Sequence, residues 1–284
     1  MLNCVIMAGG GETRLCSENC EARLKQFMKR QGERNMLAQT FDRIVNLTPP
    51  NNIWISTCES MLNLVRESLP EIIPPRIIVE PASRNTAPCI GLAAIRVLRE
   101  DPTATMLVLP ADQIIEPTAS FRNCVRFAVE LVNENPDRLI TFGIKPTFPS
   151  ESYGYIERGD SAGQNAFNVP KFHEKPDVQN ATKYMESGAF FWNSGIFVWK
   201  AKRILDLIKK FEPEIGTKLD AISDGVIRPD FGDVLRTEFE SMKKISIDHS
   251  VLERAEQIIV IQATFDWVDI GTEESLDRSY TRVG

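Results

Sequence analysis

The chain has 284 residues, with 33 Lys+Arg against 39 Asp+Glu and a formal net charge of −6. A mildly acidic chain lacks the basic face that displaces counterions from nucleic acid, so that partner class is excluded. With 43% hydrophobic and 25% charged residues, and no apolar run near the ~18 residues of a membrane-spanning helix, it reads as a water-soluble globule.

Strand-like apolar runs alternate with helical patterns from the N-terminus onward. The strand Asn3–Met7 is followed by a helix at Asn35–Leu47, a strand at Asn52–Ser56 and a helix at Glu59–Leu69. Strand Arg76–Val79, helix Thr86–Glu100 and strand Thr105–Leu109 come next. Helix Thr118–Asn133, with Phe121, Val125, Ala128, Val129 and Val132 at helical spacing, precedes strand Leu139–Gly143. Short connections between such elements predict a mainly parallel sheet covered on both faces. Tyr153–Arg158, Phe167–Glu174 and Ala189–Trp199 read as further strands, with helices at Val178–Ser187 and Ala201–Phe211. A polar helical stretch at Glu214–Lys243, a strand at Ile258–Gln262 and a helix at Thr272–Arg282 complete the order. With no repeat, low-complexity tract or Ser/Gly linker, 1–284 reads as one continuous domain. The six cysteines (Cys4, Cys16, Cys20, Cys58, Cys89, Cys124) are scattered. Cys16 and Cys20 have no second pair to complete a zinc site, so the set reads as thiols of a reducing cytoplasm.

Ligands of an open α/β sheet bind beyond the carboxyl ends of its strands. After the first strand comes Ala8-Gly9-Gly10-Gly11-Glu12-Thr13-Arg14, then Lys25-Gln26-Phe27. Glycines let backbone N–H groups approach a phosphate, and Arg14 and Lys25 add charge; a plain tight turn is the alternative. No Gly-Lys-Ser/Thr follows, so this is not a Walker loop. Pro110-Ala111-Asp112 ends the fourth strand, where Asp112 could hold a hard cation or cap a helix. Asp269, in Trp267-Val268-Asp269-Ile270-Gly271, is a second cation ligand or a turn carboxylate. Phe172-His173-Glu174-Lys175-Pro176 ends another strand in opposite charges. Asn193-Ser194-Gly195 interrupts an aromatic strand, either as a polar site or as a β-bulge; its flanking aromatics read as core. With His173 and His249 the only histidines, hydrolysis through a Ser-His-Asp array has little support. Nucleotidyl transfer fits better, because phosphate oxygens are already nucleophilic and need only positioning and charge neutralisation.

These clusters, taken in order, resemble mannose-1-phosphate guanylyltransferases. The resemblance rests on Ala8-Gly9-Gly10, Thr13-Arg14-Leu15, Lys25-Gln26-Phe27, Glu80-Pro81, Arg84-Asn85-Thr86-Ala87-Pro88 and Pro110-Ala111-Asp112. Phe142-Gly143-Ile144, Tyr153-Gly154-Tyr155-Ile156, Glu174-Lys175-Pro176-Asp177, Trp192-Asn193-Ser194-Gly195, Ser246-Ile247-Asp248 and Trp267-Val268-Asp269-Ile270-Gly271 extend it from Leu2 to about Leu276. It implies a Rossmann-like nucleotidyltransferase fold, with a mixed, mainly parallel central sheet flanked by helices on both faces. A nucleotide-binding part would span about 1–150 and a sugar-phosphate-binding part about 151–284. The implied reaction makes GDP-mannose and pyrophosphate from GTP and mannose 1-phosphate with Mg²⁺. Gly9 and Gly10 would meet the nucleotide, Arg14 and Lys25 its phosphates, and Asn85, Thr86 and Pro110 its guanine or ribose. Asp112 and Asp269 would share Mg²⁺. Gly154, Glu174 and Asn193 would hold the mannose, and Lys175 its phosphate. A homodimer is compatible with this reading. Another nucleotide or hexose 1-phosphate, or a weakened regulatory homologue that only binds sugar nucleotides, are the alternatives. The C-terminal β-helical or cupin-like segment common in the family does not fit in 284 residues.

The loop departs from the family pattern, which usually reads Gly-Gly-x-Gly; here Glu12 replaces the last glycine. The usual Trp-Pro is Cys16-Ser17, and Leu24 stands where a proline precedes Lys-Gln-Phe. A carboxylate about 4–6 Å from a triphosphate costs a few kcal/mol at an effective dielectric near 20. Glu12→Gly is therefore expected to tighten binding of GTP–Mg²⁺ in a direct titration. Unchanged or weaker binding would show that the loop carries no electrostatic handicap.

Overall fold

The computed structural model describes residues 1–10, 14–15, 23–28 and 33–270, with backbone alone at 14–15 and 23. Glu12, Cys16, Ser17, Cys20, Gly271 and the predicted helix Thr272–Arg282 lie outside these residues, as does the Arg14 side chain.

β1 (Leu2–Met7) buries its four central residues, as a strand covered on both faces must. The short strands β2 (Arg14–Leu15) and β3 (Arg23–Leu24) pair with each other, antiparallel. Helix α1 (Met36–Ile44) starts where the Asn35 side chain accepts a hydrogen bond from Ala38 N at 3.0 Å. β4 (Ile53–Cys58), α2 (Leu62–Ser68), β5 (Ile77–Glu80) and α3 (Thr86–Glu100) continue the alternation. β6 (Thr105–Pro110) is followed by β7 (Gln113–Glu116), α4 (Thr118–Glu134) and β8 (Leu139–Ile144). The second half supplies β9 (Tyr155–Glu157), β10 (Ser161–Gly163), β11 (Ala166–Asn168), β12 (Phe172–His173), α5 (Val178–Ser187) and β13 (Phe190–Lys200). It ends with α6 (Ala201–Phe211), α7 (Pro213–Gly225), α8 (Phe231–Glu240), a π-helical turn at Asp248–Leu252, β14 (Ile258–Gln262) and β15 (Asp266–Asp269).

The sheet runs β10-β11-β14-β8-β13-β6-β1-β4-β5, with β9 also on β13 and β12 on β9. β4–β5, β1–β4, β1–β6 and β8–β14 pair in parallel, whereas β13 is antiparallel to both β6 and β8. The mixed, mainly parallel core is as expected, but a long strand from the second half lies between two strands of the first. Alternate strand residues face two cores: Ile6, Leu107 and Leu109 with α1 and α4, and Val5, Met106 and Val108 with α3, α6 and α7.

Several expectations change in detail. Phe167–Glu174 is two strands, because Pro170 between them has no N–H for a ladder. Glu214–Lys243 is two helices, α7 and α8, interrupted at Arg228-Pro229-Asp230. β7 and β15 are additions to the expected elements; each is four residues long, too short for alternation to declare itself. Asp112 leads into strand β7 and so caps no helix. β13 runs unbroken through Asn193-Ser194-Gly195, with a register irregularity between Asn193 and Phe197 and Gly195 at φ 70°. The β-bulge reading is therefore correct, and only glycine takes that φ without strain.

Candidate active site

β1 pairs with β4 on one side and β6 on the other, so the chain's course along the sheet reverses at its carboxyl end, a topological switch point. Two turns leave adjacent strand ends there: Ala8 N donates to Ser56 O at 2.7 Å and Ala111 N to Met7 O at 3.1 Å. A Cβ on Gly9 would lie 3.2 Å from Glu80 Oε1 and 3.5 Å from Cys58 N, so the first glycine threads a gap with little room for a side chain. Beneath this turn lies a single 3₁₀ turn, Lys25–Phe27, with Lys25 and Gln26 buried. Gln26 Nε2 donates to the carbonyls of Ala8 (3.1 Å) and Gly10 (3.2 Å), clamping the glycine turn from below. Sequence alone gives Gln26 no such role, although it sits inside a recognised motif. Arg14 is placed only by its backbone, opposite Leu24, the residue that precedes Lys25.

Asp112 and Asp269 come together through the β7–β15 ribbon. Asp269 pairs in register with Gln113, and Ile270 N donates to Asp112 O at 3.3 Å. Burial raises both carboxyls above the usual range, and the charge of Asp112 helps push Asp269 up to about 7, while Lys25 opposes the rise in each. Among the described residues no group of three or more His, Cys, Asp or Glu forms a protein-only cage. Two facing carboxylates suit instead a hard cation that takes its remaining oxygens from water and substrate phosphates.

The third group lies at the bulge of β13. Glu174 Oε2 would be 2.7 Å from a Cβ on Gly154, so that glycine gives the carboxylate its seat. Asn193 N donates to Gly154 O at 2.8 Å. Glu174 pairs with Lys175 at 3.0 Å, as an ordinary surface pair would, yet the Glu174 side chain is only 12% exposed against 61% for Lys175. Gln113 Nε2 donates to Ser194 O at 2.7 Å, and a Cβ on Gly195 would meet Pro110 Cγ at 3.8 Å. The segment carrying Asn193 is thus pinned to the one carrying Asp112. Lys175 completes the connection, since its charge lowers the pKa of both Asp269 and Asp248.

Asn85 and Thr86 form a separate group at the start of α3. Asn85, at φ 68°, accepts from Thr86 N at 2.8 Å through Oδ1. Thr86 Oγ1 accepts from Ile247 N at 2.8 Å, and Ala87 N donates to Ile245 O at 3.1 Å. The Thr86 hydroxyl and the Ala87 N–H thus hold the helix start to the Ile245–Ile247 segment, while the Asn85 side-chain carbonyl caps the Thr86 N–H. Asp248, next in that segment, belongs to a recognised motif but carries no site role in the sequence reading. His173 contacts Tyr184 and His249 pairs with Glu253. The aromatics beside the bulge are core, as expected: Trp192 meets Phe148 and Tyr153 edge-to-face at 4.8 and 5.0 Å and is 4% exposed.

Both Asp248 and Asp269 are raised to about 7, mainly by burial. A folded-state carboxyl pKa above its unfolded value, near 3.9, means the folded chain holds more protons between those limits. That stability is present in acid and is lost as pH rises through 7. Melting of the ligand-free protein should therefore occur at a Tm several degrees lower at pH 8 than at pH 5. Mg²⁺ should restore Tm at pH 8 and not at pH 5, where the carboxyls are protonated. A flat profile would show that these groups are solvated.

A family model described as Nucleotidyl transferase matches residues 3–281. Mannose-1-phosphate guanylyltransferase RfbM of Salmonella typhimurium is 38% identical over 278 residues, covering 96% of this chain and 57% of that protein. A mannose-1-phosphate guanylyltransferase of Escherichia coli K12 is 37% identical over 284 residues, with 96% and 58% covered. The chain thus spans little more than half the length of these curated relatives. Among solved structures, a mannose-1-phosphate geranyltransferase of Thermus thermophilus superposes with a TM-score of 0.87 at 27% identity, over 99% of this chain and 79% of that one.

Proposed function

The chain belongs to the nucleotidyl transferase family, and on that premise we propose that it makes GDP-mannose and pyrophosphate from GTP and mannose 1-phosphate. The observation that carries this reading is the buried carboxylate pair joined by the β7–β15 ribbon, Asp112 and Asp269, with Lys25 beside both and Lys175 within electrostatic reach of Asp269 and Asp248. Two phosphate-bearing substrates would meet at such a cluster, each facing its own lysine.

In this reading the backbone N–H groups of Gly9 and Gly10, with Arg14 and Lys25, take the nucleotide's phosphates. Asn85, Thr86 and Pro110 flank its base and ribose. Gly154, Glu174 and Asn193 bind the mannose, and Lys175 orients its phosphate. A sugar-phosphate oxygen attacks the α-phosphorus, its bond to the β-phosphate oxygen breaks, and pyrophosphate leaves in line. Lys25 is held where negative charge builds, which lowers the barrier without any protein base. Asp112 and Asp269 fit Mg²⁺ by their oxygen donors and paired placement; bound there, the ion would neutralise charge on the α-phosphate and the departing group. Guanylyltransferases of 37–38% identity favour GTP and mannose 1-phosphate over other pairs.

Mannose 1-phosphate carrying ¹⁸O in its phosphate tests this route. The heavy atoms should all appear in the sugar nucleotide and none in the pyrophosphate. Label in the pyrophosphate, or no sugar nucleotide at all, would contradict it.

A further inference from the structure

The Asn193 side chain is almost fully committed inside the protein. Its Oδ1 accepts from Gly195 N at 3.2 Å and lies 3.0 Å from Thr141 Oγ1, whose one hydroxyl hydrogen it shares with Ile196 O at 3.1 Å. Its Nδ2 donates to Asp248 Oδ1 at 3.0 Å, leaving one N–H unspent. A flipped amide would set Nδ2 against the Gly195 N–H, donor against donor, and lose that bond. The Gly195 N–H, which can only donate, therefore fixes Oδ1 on its own side and leaves Nδ2 facing Asp248.

Asp248 itself is held firmly. It opens the π-helical turn Asp248–Leu252, a geometry that often marks functional positions. The residue before it, Ile247, donates its N–H to Thr86 Oγ1, and Ile245 N donates to Arg84 O at 3.2 Å. The start of α3 thus fixes where the Asp248 carboxyl stands. Glu174 lies close enough that its charge acts on Asp248.

We propose that Asp248 is a positioning residue for the sugar: by accepting one Asn193 N–H it aims the other at the hexose. One sugar hydroxyl then donates to the Glu174 carboxylate and accepts from Asn193 Nδ2. This inference rests on the reading that the sugar phosphate binds at the β13 bulge. It also gives Thr86 a task, as the anchor of the segment carrying Asp248.

The test compares Asp248→Ala, Asp248→Asn and the double exchange Asn193→Asp with Asp248→Asn, reading Tm and both KM values. Asp248→Ala should raise KM for mannose 1-phosphate about tenfold or more, with KM for GTP within about twofold. Asp248→Asn still offers an acceptor to Asn193 and should recover most of that loss. In the double exchange, the carboxylate introduced at position 193 accepts from Thr141, from Gly195 N and from the amide introduced at position 248. The bonds are rebuilt without a donor for the sugar. Tm should return to the wild-type value while KM for the sugar phosphate stays high. A KM unmoved by Asp248→Ala, or a double exchange that restores KM along with Tm, overturns the proposal. If the wild-type protein turns over only another hexose 1-phosphate, the mannose reading fails on its own, and the same KM comparison made with that sugar decides the role of Asp248.

Discussion

Asp112→Asn should leave a folded protein that turns over about 10²–10³ times more slowly, a loss of roughly 3–4 kcal/mol of transition-state stabilisation. The substitution keeps the shape of the side chain. It also spares the contact that joins the strands, because Ile270 donates to the backbone carbonyl of Asp112. Removing one of two like charges in a confined space relieves repulsion, so Tm should hold or rise in the absence of metal. A protein at least as stable as wild type, yet nearly inactive, is the signature of a carboxylate kept for chemistry. Stopped-time assays at saturating Mg²⁺ together with a melting curve provide the check. Near-wild-type turnover would remove Asp112 from the account.

Glu174→Gln should raise KM for the sugar phosphate by roughly 10–100-fold, since a hydrogen bond to a charged group is worth about 1.5–3 kcal/mol. KM for GTP should stay within about twofold, because the lost contact lies on one substrate only. An exposed Glu–Lys pair would predict something different. Such pairs contribute only about 0–1 kcal/mol, and their loss would change neither KM. The structure divides the two readings: the ion pair with Lys175 exists, but the Glu174 side chain is 12% exposed and sits on Gly154. Equal changes in both KM values would remove Glu174 from sugar recognition.

Much of the site is legible in residue order, because the switch-point rule directs attention to strand ends and the strands of the first half are long and apolar. Gly9, Asp112 and Glu174 are found that way. The pairing of Asp112 with Asp269 comes only from resemblance, since they lie on two four-residue strands whose polar ends conceal any alternation. The position of β13 between β6 and β8 is also hidden. A local pattern of apolar residues does not say which strand a long-range neighbour will be. Gln26 and Asp248 escape notice as site residues because their contribution is made to other protein groups: Gln26 to two backbone carbonyls, Asp248 to one side-chain amide. No spacing in the sequence announces such contacts. Asn193-Ser194-Gly195 shows the opposite case, where a structural reading and a functional one both apply. The bulge that bends β13 is also what lets Gly195 N and Thr141 hold the Asn193 amide.

Pyrophosphate release measured over a panel of nucleoside triphosphates and hexose 1-phosphates tests the central claim most directly. The protein should show its highest kcat/KM with GTP and mannose 1-phosphate, should need Mg²⁺, and should release no pyrophosphate when the sugar phosphate is withheld. A higher kcat/KM with another pair, or binding of GDP-mannose without turnover of any pair, would contradict it.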